Sequence, residues 1–182
     1  KYDEGMHVNW PNPYNRPSRW SSGSRTVTSS KNYLDEVNNL KNIFNKALSY
    51  NSDFSKKLDL KLESMKNLFN GLQTLYLHAK DQRQIIDGVS FFKSLGIDKI
   101  VVIGGDEAHQ IIEFLKNNNV SVIASHPHRL PSFEDSDVKE AFKLAKTLVS
   151  NGINLSIDVR GGMERPNTRN LPFFAGSFVG NG

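Results

Sequence analysis

Four short apolar runs recur through the second half of the sequence, about 20 to 35 residues apart. They are Leu75-Tyr76-Leu77-His78, Ile100-Val101-Val102-Ile103, Val120-Ser121-Val122-Ile123-Ala124 and Ile153-Asn154-Leu155-Ser156-Ile157-Asp158. Each has the length of a strand and is too short for a typical helix. Their low polarity implies burial on both faces, as in a parallel sheet sandwiched by helices. Parallel strands release their polar tips along one common edge. The first run ends in His78 and the fourth in Asp158, so an imidazole and a carboxylate reach that edge three β/α units apart.

The segments between the runs keep helical spacing. Ile85, Ile86, Val89, Phe92 and Leu95 define a helix closed by Gly96. Asp106 and Glu107 open the next at an end where negative charge is favoured; it buries Ile111, Ile112, Phe114 and Leu115 and ends at Asn117-Asn118-Asn119. A third carries Val138, Phe142, Ala145, Leu148 and Val149 and stops at Asn151-Gly152. The fourth run leads into a Gly-rich loop and an apolar tail from Leu171 to Val179.

Upstream, residues 1 to 30 have loop chemistry, rich in Pro, Asn, Ser, Arg and Trp, with room for a short strand at Met6-His7-Val8-Asn9. From Tyr33 the apolar positions Leu34, Val37, Leu40, Ile43, Phe44, Ala47 and Leu48 predict a helix capped by Ser30 and ending at Asn51 or Ser52. A second helix is expected from Asp59 to Asn70, stopped by Gly71. This divides the chain into a loop-rich and helical insertion, residues 1–57, and a run of β/α units, residues 58–182.

The β/α alternation suits a doubly wound sheet or a (β/α)8 barrel. A whole barrel takes about 250 residues, and the chain has 182. The simplest account is an α/β fold that is part of a barrel: about four consecutive β/α units preceded by a helical insertion, without the opening strands and closing helices. A doubly wound phosphate-binding domain is the rival, with Gly104-Gly105 at the phosphate. It requires an open sheet with a switch point and no convergence of His78 with Asp158.

Charge and composition narrow the partners. The net charge is +4. Residues 1–70 hold 11 Lys/Arg against 7 Asp/Glu, and residues 71–182 hold 12 of each. With no dense basic run interleaved with aromatics, a nucleic-acid partner is not expected. No stretch nears the roughly 20 apolar residues that cross a bilayer. The absence of cysteine excludes disulfides, thiolate ligands and a Cys nucleophile. The first residue is Lys1, and the composition suits a cytoplasmic or a bacterial periplasmic setting. A small-molecule substrate is the expected partner, and a homo-oligomer is open.

Several residues could carry chemistry. His78, ending an apolar strand, can bind a divalent metal ion through neutral imidazole, or it can be a core histidine bonded to a carbonyl. Asp158 places a carboxylate at the mouth of a hydrophobic sheet, where an unpaired charge is costly. A metal, a cation or a reacting water beside it would account for that, as would an ion pair with Arg160 or Arg169. The loop Ser125 to Pro131 holds His126 and His128 in a His-x-His spacing interrupted by Pro127, which fits substrate contact better than ligation. Gly104-Gly105 is either a phosphate-binding turn or a point of close backbone approach. His109 is expected at the surface. Arg169 could clamp a substrate carboxylate or hold Asp158 and its loop.

In order, Leu77-His78-Ala79, Val102-Ile103-Gly104-Gly105, His128-Arg129-Leu130-Pro131, Asp158 and Thr168-Arg169-Asn170-Leu171-Pro172-Phe173 resemble the amidohydrolase superfamily, most of all its imidazolonepropionase-like branch. The resemblance covers about residues 58 to 182. It implies a metal-dependent (β/α)8 hydrolase acting on non-peptide C–N bonds, with Zn the best match to a His/Asp donor set and Fe, Mn or Ni as alternatives. It makes His78 the fifth-strand metal ligand and Asp158 the eighth-strand ligand and proton-transfer residue. His126, His128, Asn167 and Arg169 become substrate-binding candidates. The family's first-strand His-x-His pair would lie upstream of Lys1. Gly104 and Gly105 stand where the family has a sixth-strand histidine. That departure leaves room for a degenerate barrel that serves as a binding or structural subunit.

Overall fold

The computed structural model describes residues 4–15, 27–52, 57–125, 127–129, 136–159 and 165–182. Its centre is a five-stranded parallel sheet of β1 (Gly5–Asn9), β4 (Thr74–Ala79), β5 (Ile100–Gly104), β6 (Ser121–Ala124) and β7 (Leu155–Ile157), in that order. Tyr14–Asn15 (β2) and Thr28–Ser29 (β3) pair separately as a small antiparallel ribbon. Strand order in the main sheet follows chain order. Among the described strands it never reverses, whereas a doubly wound sheet needs a reversal at its switch point. The architecture is compatible with a stretch of a barrel.

The four strands expected from the apolar runs are present, and the short strand at Met6–Asn9 is a fifth, paired in parallel with β4. Pairing aligns Asn9, His78, Ile103, Ile123 and Ser156 in one row across the sheet. Because side chains alternate along a strand, neighbours of that row point the other way. Val8, Leu77, Val102 and Val122 are buried beneath the helices. The face with His7, Asn9, Tyr76, His78 and Ser156 is half-buried to exposed.

The helices are α1 (Tyr33–Ser52), α2 (Leu60–Glu63), α3 (Lys66–Phe69), α4 (Gln82–Ser94), α5 (Ile112–Asn117), α6 (Glu140–Ser150) and α7 (Leu171–Val179). The core joins the sheet's buried face to Val37, Phe44 and Ala47 of α1, Ile85, Val89 and Phe92 of α4, Leu115 of α5 and Leu148 of α6. Each large aliphatic side chain so buried contributes about 1.5–3 kcal/mol. Phe92 meets Phe44 edge-on at 4.8 Å and Trp10 at 5.9 Å, an arrangement aromatic quadrupoles favour.

Three expectations change in detail. The helix expected over Asp59–Asn70 is two single turns, α2 and α3. Asp59 caps the first turn through Lys61 N (2.9 Å), and Ser64 Oγ bonds back to Lys61 O (2.8 Å), which competes with helix continuation. Glu107 does not open its own helix. A 3₁₀ turn, Ala108–Gln110, intervenes before α5, and the buried Glu107 carboxylate instead accepts from Gln82 N at the start of α4 (3.0 Å). The apolar tail is a helix, α7, preceded by a 3₁₀ segment at Arg165–Asn170, with Pro172 in its first turn, where proline's missing N–H costs nothing.

Trp10, at the end of β1, is locked by a chain of hydrogen bonds. Its indole N–H donates to Tyr33 Oη (3.1 Å), and the Tyr33 hydroxyl donates to Asp87 Oδ2 (2.6 Å). Burial first, and then the bond to Asp87, push the Tyr33 hydroxyl from 10.0 up to about 12. The folded chain therefore holds this proton more tightly than the unfolded chain. The stability so contributed is complete below pH 10.0 and is lost as pH rises through about 12. Chemical-denaturation midpoints should fall across that alkaline window, and Tyr33→Phe should flatten the fall. An equal slope in the variant would show that another group controls it.

Candidate active site

In parallel α/β folds the C-terminal edge of the strands carries the chemistry, because loops with free polar groups meet there. Here that edge borders a cleft of about 570 Å³. The ends of β1 (Asn9, Trp10), β4 (His78, Ala79) and β5 (Ile103, Gly104) line it, with Lys80, Asp81, Gln84, Asp106 and Ser125 from the following segments. The sequence thus delivers His78 to a cavity at the expected edge.

The rim is held by two polar clasps. Gln84, buried in the first turn of α4, donates from Nε2 to Trp10 O (3.1 Å) and Pro11 O (3.0 Å), while its Oε1 accepts from Lys80 N (2.9 Å) and Asp81 N (3.2 Å). One side chain ties the segment after β1 to the segment after β4. Arg129 ties the segment after β5 to that after β6: its Nη2 donates to Asp106 O (3.0 Å), and its Nε lies 3.4 Å from Asp106 Oδ1.

The Gly104-Gly105 turn resolves in favour of close approach. Gly104 has φ +105° and Gly105 φ +57°. A Cβ on Gly104 would stand 3.0 Å from Ala79 O, and one on Gly105 would stand 2.9 Å from Val122 Cγ1. Gly105 N donates to Ala79 O (2.8 Å), so this amide is committed to the neighbouring strand rather than turned to a phosphate.

His78 is half-buried, and its Nε2 lies 3.0 Å from Nδ1 of His7. The His7 ring stacks on Tyr76 at 4.8 Å, with planes inclined by 13°. Asp158 is also half-buried and extends the ladder past β7, its N–H donating to Ala124 O (2.9 Å). It lies two residues beyond Ser156, which shares the row of His78, so both belong to the same face, one row apart. Three strand spacings, about 14 Å along the sheet, separate β4 from β7. Among the described residues, no three His, Asp or Glu side chains gather closely enough to hold a metal ion by themselves.

The other candidates are dispersed. His128 lies edge-on to Phe142 of α6 at 5.5 Å and beside Phe174 of α7 at 5.5 Å, apart from the residues that line the cleft. Arg169 is exposed on the 3₁₀ segment before α7. His126 and the side chain of Asn167 lie outside the described residues, as does Arg160. His109 is half-buried rather than at the surface, with its Nε2 3.7 Å from the Glu140 carboxylate.

His7 and Gln84 are the site residues that sequence reasoning passed over. The signal for His7 was present: in Gly5-Met6-His7-Val8-Asn9-Trp10 the large apolar residues alternate with His7 and Asn9, which assigns both to the open face. Gln84 had no such signal, because its role depends on two loops distant in sequence.

No family pattern matches the chain, and no curated protein matches it. Among solved structures, it is similar to the crystal structure of an amidohydrolase from Thermotoga maritima MSB8, with a TM-score of 0.68 and 15% identity. The likeness covers 98% of this chain and 47% of that one. The chain therefore spans about half the length of that protein. At this identity the likeness is one of fold: a mixed α/β fold shared with an amidohydrolase. No helix among the described residues is long and apolar enough to cross a membrane.

Proposed function

We propose that this chain belongs to a metal-dependent hydrolase of the amidohydrolase superfamily, of the imidazolonepropionase-like branch, built as part of a (β/α)8 barrel. Its reaction is hydrolysis of a non-peptide C–N bond in a cyclic amide or related small molecule. The observation that carries this reading is the fold likeness over 98% of the chain, with His78 and Asp158 on one face at the C-terminal edge.

The donor chemistry fits a divalent ion: imidazole and carboxylate are the ligands Zn prefers in the absence of cysteine. When bound, the ion supplies a water of lowered pKa and a Lewis acid for the carbonyl. His78 would hold the ion. Asp158 would accept the proton of the attacking water and return it to the leaving nitrogen. Arg169, His128, His126 and Asn167 are proposed to contact substrate, which for His128 and Arg169 requires their segments to approach the cleft when it is filled.

After incubation with excess Zn, the purified full chain is expected to retain about one equivalent of metal, and His78→Ala to weaken binding tenfold or more, roughly. Unaltered affinity in that variant would return His78 to the role of a structural histidine. A second reading is favoured by the Gly104-Gly105 turn, which on the family resemblance stands where a ligand is expected: a degenerate barrel acting as a binding or structural subunit. Retention of less than about a tenth of an equivalent of metal would select it.

A further inference from the structure

We propose that His7 is a metal ligand, forming with His78 a two-nitrogen chelate on the open face of the sheet. This rests on the metal-dependent reading of the same site and adds a residue to it.

His78 sits on β4, which has one neighbour on each side, β5 and β1. On the β5 side, His78 is paired with Ile103, and the Gly104 that follows has a φ of +105°, unsuited to histidine. On the β1 side stands His7. Its Nδ1 is 3.0 Å from His78 Nε2. Two nitrogens each about 2.0–2.1 Å from one tetrahedral ion lie about 3.3 Å apart. The observed separation is within a few tenths of an ångström of that spacing, so small ring rotations open the bite.

The donors are also pre-organised. Tyr76 stacks against the His7 ring and restricts its rotation. The paired rows of β1 and β4 fix both backbones, with His7 opposite Tyr76 and Asn9 opposite His78. His7 is exposed, and His78 lines the cleft, so an ion and its waters can enter. Two protein nitrogens leave further coordination positions open to water or substrate.

The rival for the same contact is a hydrogen bond in which His7 only orients His78. Cobalt(II) titration of the full chain, followed by visible absorption and by X-ray absorption counting of imidazole ligands, separates the two. The expected result is two imidazoles per ion, with affinity falling tenfold or more, roughly, in His7→Ala and in His78→Ala. His7→Gln, which can still hydrogen-bond to His78, should be as impaired as His7→Ala. Near-normal affinity in either His7 variant, or a single imidazole per ion in the unmodified chain, would overturn the chelate while leaving the hydrolase reading intact, provided His78→Ala still weakens binding. If the unmodified chain binds no cobalt, the chelate and the metal-dependent reading fall together. Circular dichroism of the variants confirms that the sheet persists.

Discussion

Replacing Asp158 by asparagine is expected to reduce hydrolytic turnover by about 10²–10⁴-fold, the contribution of a positioned proton-transfer group. The amide is nearly the same size as the carboxylate and keeps the backbone N–H bond to Ala124 O, so the sheet edge should be undisturbed. What the proposed role would lose is the ability to take a proton from water and deliver it to nitrogen. On the proposed hydrolase reading, turnover of a cyclic amide by the full-length protein, measured alongside thermal unfolding, makes the comparison. Retention of most activity would remove Asp158 from the reaction. A collapse of the folded state would instead identify its carboxylate as a structural anchor.

The second large effect concerns the turn after β5. Gly104→His, which on the proposed family reading would supply a sixth-strand imidazole, is expected to destabilise the chain rather than build a ligand. At φ +105° the backbone is in a region that costs a side-chain-bearing residue about 1–3 kcal/mol. The new Cβ would meet Ala79 O at 3.0 Å, in contact with the strand that carries His78. For a chain of this size, about 2–4 °C of melting temperature accompanies each kcal/mol, so a fall of roughly 2–12 °C is expected. Unchanged stability together with tighter metal binding would show that the turn re-forms easily. The turn is thus set by backbone geometry as well as by side-chain size, because both glycines have positive φ and close neighbours.

The regular part of the fold was legible because burial on two faces imposes a continuous apolar run, and such runs at Leu75, Ile100, Val120 and Ile153 are hard to read as anything but strands. The long helix from Tyr33 was equally plain from its spacing. β1 was harder: five residues beside proline-rich loop chemistry carry little pattern, and only pairing with β4 makes them a sheet strand. The break at Ser64-Met65 escaped because the apolar spacing of Leu62, Met65, Leu68 and Phe69 continues across it, while the interruption comes from local hydrogen bonds. The positions of His78, which lines the cleft, and of Asp158, just past β7, near the C-terminal edge could be read from the ends of their apolar runs. The cross-links through Gln84 and Arg129 could not, since each joins loops that only folding brings together.

Among the described strands, β1 lies at the border of the sheet with β4 as its one partner. Here Trp10 is bolted into the helical layer through Tyr33 and Asp87, and its carbonyl is gripped by Gln84. A shift of one residue would send His7 under the helices and turn Val8 outward, since alternation allows no intermediate. The anchor that keeps the strand in phase therefore also decides which side of the sheet its imidazole faces.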